Sequence, residues 1–308
     1  MESFLSIRGL TKKYQNTVAL DGISFDVPTG TVFGLLGPNG AGKTTFIRIV
    51  NRIINYDSGE IFFDGKPLSR EHINRIGYLP EERGLYRKMK VGEQIEYFAR
   101  LKGLSASEAR NKMRYWFDRL DIRGWEQKKV QELSKGMQQK IQFIITVIHD
   151  PDLLIFDEPF SGFDPVNQEM LKSEIQELNR RGKTILFSTH MMASVEELCD
   201  SIVLINKGKI MLEGMISNIK DEFKQNDYLI QFAGLSGELK SNEDFEVVEK
   251  IDGNTFKVRI VGDKETNDLL VYATSFGKVI RFEEILPSLN EIFINVVQHS
   301  KVMNHEHE

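Results

Sequence analysis

The chain has 308 residues, enough for about two domains at roughly 150 residues each. Apolar residues make up 41% and charged residues 28%, the balance of an ordinary soluble globular protein. With 40 Lys and Arg against 45 Asp and Glu the formal net charge is −5, which argues against nucleic-acid binding by bulk positive charge. The longest apolar stretch, Ile141 to Ile148, is broken by Gln142 and Thr146 and falls far short of the ~18 residues that span a bilayer. No charged start followed by an apolar run opens the chain, so no secretory signal is expected. One cysteine, Cys199, makes no internal disulfide; it fits a reducing cytosol and reads as a small buried hydrophobe.

Taken in order, the first two hundred residues alternate short apolar runs with helical patterns, as a parallel-sheet α/β domain does. Ile23 to Val27 and Val32 to Leu36 read as strands separated by Pro28 and Gly30, and Gly59 to Phe63 as a strand ending in the Asp64-Gly65 turn. Ser105 and Glu108 form a capping box ahead of Ala109, Met113, Trp116 and Leu120 at helical spacing. A later helix carries Val166, Met170, Leu171, Ile175 and Leu178, with Gly182 at its end. Leu153 to Phe156, Thr184 to Ser188 and Ile202 to Ile205 are compact enough for a buried sheet.

The pattern changes after Gly214. Ile216 to Asn226 is polar and helical. Strands are then expected at Leu229 to Phe232, Phe245 to Val248, Phe256 to Val261 and Val279 to Phe282, with helices at Asn267 to Ser275 and Ser288 to Val297. The expected organisation is an α/β domain over residues 1–216, a small α+β domain over 217–300 and a tail over 301–308. His305 and His307, among glutamates, read as a solvated end and not as a metal site.

Chemistry concentrates in a few motifs. Gly37-Pro38-Asn39-Gly40-Ala41-Gly42-Lys43-Thr44, followed by Thr45, satisfies G-x-x-x-x-G-K-[ST] in full. It has strand Val32 to Leu36 before it and an apolar helix with Phe46, Ile47, Ile49, Val50 and Ile53 after it. Its glycines let backbone N–H groups crowd a polyphosphate, Lys43 reaches the terminal phosphates, and Thr44 can hold Mg²⁺. A chance Gly-rich turn is the bland alternative, and both flanks argue against it. Leu153 to Glu158 is an apolar strand ending in two acids, where Asp157 is placed to serve Mg²⁺ and Glu158 to polarise an attacking water. Alone, such a pair is an ordinary strand end; beside the phosphate loop it reads as catalytic.

Four further pieces choose a family. Leu133-Ser134-Lys135-Gly136-Met137-Gln138-Gln139 precedes a helix, Ser161-Gly162-Phe163-Asp164-Pro165 follows the acids, His190 follows the strand Thr184 to Ser188, and Tyr14 precedes Val18. In this order they resemble the ATP-binding subunit of an ABC transporter over almost all of residues 3–214. The resemblance implies a P-loop NTPase fold of the ABC type with a helical subdomain. It also implies ATP and Mg²⁺ as cofactors, and a second ATP-binding subunit docked head to tail. Ser134 and Gly136 then serve the γ-phosphate bound to that second subunit, His190 is the switch histidine, and Tyr14 stacks on adenine unless it is a core tyrosine. Lys43, Glu158 and His190 are the implied catalytic residues. The segment from about Ile219 to Val297, ending in Leu286 to Phe293, resembles the accessory domain of sodium-export and drug-export ATPases.

Three positions depart from the family pattern. Lys135 stands where its signature has the first glycine and Met137 where it has glutamine, while Ser134 and Gly136 are kept. Glu81, after Ile76 to Pro80, stands where the family has glutamine; a carboxylate there still meets Mg²⁺ or water. Leu85, Tyr86 and Met89 are expected nearest a short helix from an integral-membrane permease, with Val91, Ile95 and Phe98 on the helix behind them. The function expected is an ATPase subunit on the cytoplasmic side of the membrane, powering a separate permease, with export favoured and no nucleic-acid partner. Its rivals are an ABC-type ATPase acting on ribosomes or DNA, and a low-turnover regulatory ATP-binding module. The first fits poorly, because one cassette is present and no long coiled-coil or zinc insertion.

Overall fold

The computed structural model of the protein describes residues 2–81 and 84–305. The chain forms two compact units, Met1–Ile216 and Ser217–Glu308. The first unit opens with long paired strands, β1 (Ser3–Tyr14) and β2 (Thr17–Pro28), followed by the fully buried β3 (Val32–Leu36). After the glycine-rich loop come α1 (Lys43–Val50), β4 (Ser58–Phe63), β5 (Lys66–Pro67) and β6 (Ile76–Leu79). A helical segment follows, α2 (Val91–Leu101), α3 (Ala106–Arg119) and α4 (Lys135–Val147). Then β7 (Leu153–Asp157), α5 (Pro165–Arg180), β8 (Thr184–Ser188), α6 (Met192–Leu198), β9 (Ser201–Asn206) and β10 (Lys209–Met215) complete the unit, and α7 (Ile216–Glu222) starts at its last residue and otherwise belongs to the second.

Two sheets build this unit. A six-stranded sheet runs β10-β9-β3-β8-β7-β6, parallel except for the antiparallel edge strand β10. An antiparallel sheet runs β2-β1-β4-β5. One apolar core joins them around α1, with Leu5, Ile7 and Phe63 from the small sheet, Leu35, Ile155 and Leu186 from the large one, and Phe46 and Ile47 from the helix, all but inaccessible to water. The helical segment closes on a second set of contacts: the Trp116 and Phe143 rings meet edge to face at 5.6 Å, and Phe143 stacks on Phe156 of β7 at 6.0 Å. The helix α3 starts as its sequence dictates, with Glu108 N–H donating to Ser105 Oγ and Ser105 N–H donating to Glu108.

Several elements differ from expectation. The β1 strand went unread because its buried residues, Phe4, Leu5, Ile7 and Leu10, keep no strict alternation, and the ladder to β2 is broken by register shifts. Helix α1 stops at Val50, so Ile53 lies beyond it and is 59% exposed. Helix α7 stops at Glu222 and does not continue to Asn226, because Asn226 turns through φ 54° and Asp227 is already paired in a strand. No helix among the described residues is long and apolar enough to cross a membrane.

The second unit is a sheet of order β12-β13-β11-β14, made of β11 (Asp227–Leu235), β12 (Phe245–Lys250), β13 (Thr255–Ile260) and β14 (Gly277–Ile285), all neighbours antiparallel. Its core holds Ile230, Phe232, Phe256 and Val258 with Leu269 and Ala273 of α8 (Thr266–Thr274). The last helix, α9 (Leu289–His305), runs through the first five residues expected as a tail. His307 and the side chain of His305 lie outside the described residues.

At the start of β11, buried Asp227 accepts from Arg259 at 2.7 Å and pairs with Lys257 at 3.0 Å. Burial alone would raise this carboxyl, yet the Arg259 and Lys257 contacts outweigh it and hold it below its ordinary value of 3.8. A group whose folded pKa is depressed adds stability above the unfolded value and loses it as pH falls through the folded one. Asp227→Asn is therefore expected to cost about 2–3 kcal/mol, somewhat less than a fully buried pair because both cations reach solvent. It should also abolish the loss of stability that the pair contributes below about pH 4. Hydrogen exchange of the β11 and β13 amides in the full chain, followed against pH, checks both.

Candidate functional site

The parallel strands β3, β7 and β8 end side by side, and the loops leaving them form one cleft. It is lined by Thr17, Ala19, the loop from Asn39 to Thr45, Glu81, Asp157, Glu158 and His190. Backbone geometry fixes the loop. Gly37 has φ 148° and a Cβ there would sit 2.1 Å from the Ile205 carbonyl; Gly42 has φ 117° and a Cβ would sit 2.5 Å from the Ala19 carbonyl. Only glycine fits at either position, so the loop packs directly against β9 and β2. Gly42 hands over to α1, whose first residue is Lys43.

Lys43 is 8% exposed. Its Nζ donates to the Gly37 carbonyl at 2.6 Å and the Pro38 carbonyl at 3.2 Å. Burial pulls its ammonium below the ordinary lysine value, opposed by the charges of Glu158, Asp157 and Glu81. The carboxylates feel the reverse side of this crowding. Burial foremost, then Glu158 and Glu81, push the Asp157 carboxyl up to about 6, against the Ser188 hydroxyl and, more weakly, Lys43. The cleft thus sets three acids against one lysine.

Glu158 stands at φ 49°, a region a non-glycine residue rarely adopts. Its N–H donates to the Ser188 carbonyl at 2.8 Å, which pins it to the end of β8. Thr189 Oγ1 donates to Glu158 Oε2 at 3.0 Å, and His190 Nδ1 lies 2.8 Å from Oε1. The carboxylate only accepts, so Nδ1 carries a proton. Glu158 is thus aimed by the two residues that follow β8, while His190 itself remains largely exposed.

The other expected site residues lie elsewhere. Tyr14 sits at the tip of the β1–β2 hairpin opposite Thr17, is 45% exposed, and has Lys12 Nζ 5.3 Å from its ring centroid. Thr17 lines the cleft and Tyr14 does not. Ser134 caps α4, accepting from Met137 N–H at 3.3 Å, with Gly136 in its first turn; neither reaches the cleft of its own chain. Lys135 extends over Gly162, where a Cβ would meet its side chain at 2.5 Å. Thr189 was not anticipated; its place directly before His190 was the available signal.

The residues present fit a nucleotide with a divalent cation. A glycine-rich loop that hands over to a helix N-terminus suits phosphate oxygens. Three acids around one lysine, with Asp157 raised to about 6, suit a cation. Among the described residues no group of three or more protein ligands is arranged to hold a metal alone. That is the expected state for Mg²⁺, which is bound by one or two carboxylates plus substrate phosphates.

Residues 20–161 match the ABC transporter family, and residues 214–297 match the C-terminal domain of DrrA1-3-like ATP-binding proteins. The chain is 44% identical over 294 residues to the ABC transporter ATP-binding protein YhaQ of Bacillus subtilis, covering 95% of this chain and 98% of that one. It is 35% identical over 213 residues to the Nod factor export ATP-binding protein I of Burkholderia orbicola, covering 68% and 70%. Among solved structures, an ATP-binding subunit of an ABC transporter superposes with TM-score 0.67 at 29% identity, over 72% of this chain and 93% of that one. The phosphate loop, the paired acids and these likenesses together make the chain a member of the ABC transporter ATP-binding proteins, a family of ATPases.

Proposed function

We propose that the chain binds and hydrolyses Mg²⁺-ATP in this cleft as one half of a head-to-tail dimer. In this reading it powers separate integral-membrane permease subunits from the cytoplasmic face of the cell membrane. The observation that carries the proposal is Glu158, held by Thr189 and His190 beside the phosphate loop. The likeness to an export ATP-binding protein supports export as the direction. Residues 1–216 act as the ATP-binding domain and 217–300 as an accessory domain that biases the dimer.

Each residue has a defined task. The loop amides from Gly37 to Thr45 and Lys43 hold the phosphates; the Gly37 and Pro38 carbonyls now on Lys43 give way to phosphate oxygens. Thr44, Asp157 and Glu81 hold Mg²⁺, which screens phosphate charge. With Oε1 and Oε2 each engaged once, Glu158 keeps lone pairs for an attacking water and takes its proton as general base. His190 Nδ1–H aims Glu158, and with a second proton on Nε2 the ring also donates to the γ-phosphate, whose oxygens only accept. Tyr14, at the edge of the cleft wall, stacks on adenine. Ser134 and Gly136 close the site of the partner copy, which accounts for their distance from the cleft of their own chain.

Three outcomes test the assignment. Glu158→Gln keeps ATP affinity, lowers steady-state hydrolysis by about 10²–10⁴-fold and accumulates an ATP-bound dimer in size-exclusion chromatography; normal turnover would sink the general-base role. Lys43→Ala loses ATP affinity in calorimetry with Mg²⁺ present, since the cation opposite the phosphates is gone. A chain ending at Ile216 still binds Mg²⁺-ATP but, in the Glu158→Gln background, dimerises with altered concentration dependence. If it folds and cannot bind ATP, the accessory domain belongs to the site; if binding and dimerisation are both unchanged, the accessory domain does not bias the dimer.

A further inference from the structure

A cavity of about 300 Å³ lies in the second unit, between the residues that follow α7, strand β13, the end of β14 and the first turns of α9. All of its lining falls between Phe223 and Asn295, so it belongs to that unit alone. Phe223, Ile285, Leu286 and Ile292 give it apolar walls. The charged side chains in it are Asp227, Lys257, Arg259 and Glu291.

Asp227 fixes the two cations. Its side chain is 5% exposed, and it holds Lys257 Nζ at 3.0 Å and Arg259 Nε at 2.7 Å. Arg259 Nη2 donates to the same acid at 3.1 Å and to Gln225 Oε1 at 2.5 Å. Arg259 Nη1 is left without an acceptor among the described residues, and Lys257 Nζ, with three protons, has Asp227 as its one partner there. Glu291 stands at the exposed rim. Its Oε2 accepts from Ser288 N–H at 2.7 Å and from Ser288 Oγ at 2.8 Å, in the capping box that starts α9. Those bonds hold its carboxyl below the ordinary value, so it is ionised at neutral pH. Its Oε1 accepts nothing among the described residues.

Folding explains the Asp227 pairs and the Ser288 box, but not what remains. Spare donors on two cations and a spare acceptor on one acid face the same apolar-walled space. A simple anion in that space is repelled by Glu291, and a simple cation by Lys257 and Arg259. A molecule with both charges at one end and an apolar body at the other meets all three groups favourably. A peptide end carries only one of the two charges. The volume lies at the lower end of the roughly 300–1,000 Å³ of small-molecule sites, so the ligand is small. We propose that the cavity binds a free apolar α-amino acid, with its carboxylate on Lys257 Nζ and Arg259 Nη1 and its ammonium on Glu291 Oε1. Its side chain then packs against Ile285, Leu286 and Ile292. The inference is independent of the ATP cleft and of the permease reading.

The test uses the full chain with L-leucine as the probe, followed by calorimetry and by saturation-transfer NMR of the leucine methyl groups. One leucine per chain is expected to bind. Isocaproate, which lacks the ammonium, and isoamylamine, which lacks the carboxylate, should each bind about ten-fold more weakly or worse. Glu291→Gln keeps an acceptor for Ser288 and removes the charge, so it should weaken leucine about ten-fold and tighten isocaproate. Lys257→Met should weaken both leucine and isocaproate and leave isoamylamine no weaker. Hydrogen exchange of the β11 and β13 amides at the rate of the parent shows that a variant is folded; if Lys257→Met fails that check, Glu291→Gln with the two analogues decides. Absence of saturation transfer to leucine at millimolar concentration overturns the proposal. Leucine binding that neither substitution changes also overturns it, since the ligand then sits elsewhere on the chain. Isocaproate binding as tightly as leucine does so too, because the cavity is then a plain anion site.

Discussion

Everything in the first unit is arranged around the imbalance between Lys43 and the acids that face it. One buried ammonium meets Asp157, Glu158 and Glu81, and the mismatch is held in place by backbone that has no room to relax. The parallel strands β3, β7 and β8 set the depth of the acids, since Asp157 is in register with Ser188 and Glu158 is bonded back to the same residue. The loop is held from the other side, where glycine alone tolerates the carbonyls of Ile205 and Ala19. A cleft built in this way is poorly satisfied by itself and suits a polyphosphate that brings a cation. Stability is given up at the strand ends and recovered in the dry core beneath, between the two sheets.

The second unit solves a smaller problem with the same means. Its core of Ile230, Phe232, Phe256 and Val258 is modest, and Asp227 at the mouth of the sheet is matched by cations from the neighbouring strand. There both oxygens of the carboxylate are paired within the chain. The contrast with Lys43 is a matter of stoichiometry: two cations on one acid satisfy the acid, whereas three acids on one cation leave the cleft open.

Much of this was legible before any coordinates. Thr184–Ser188 coincides with its strand and the Ser105 box starts its helix, because buried parallel strands and helix caps write themselves as contiguous residue types. The phosphate loop and the acid pair were readable for the same reason. What escaped were features made by tertiary contact. Ile53 looked like helix interior, since its apolar character does not say which partner it serves. The end of α7 depended on strand pairing of Asp227 with Arg259, a residue distant in the sequence. Glu158 in a left-handed conformation, and the hydrogen bond from Thr189, depend on how two strands finish beside each other. Lys257 and Glu291 stand far apart in the chain and line one cavity only after folding.

Helix α4 begins at the Ser134 cap and ends against a groove, where Ile145, Thr146 and His149 form part of the lining. Its 13 residues span about 20 Å at about 1.5 Å per residue, and past Gly136 they contain neither glycine nor proline. Such a rod has no joint. Its midpoint is clamped by the Phe143 ring between Trp116 and Phe156, so it pivots there if it moves at all. A lever with its fulcrum beside the acid-bearing strand turns a push at one tip into an opposite swing at the other. A displacement of the Val147 end is therefore delivered, reversed in direction, to the Ser134 end.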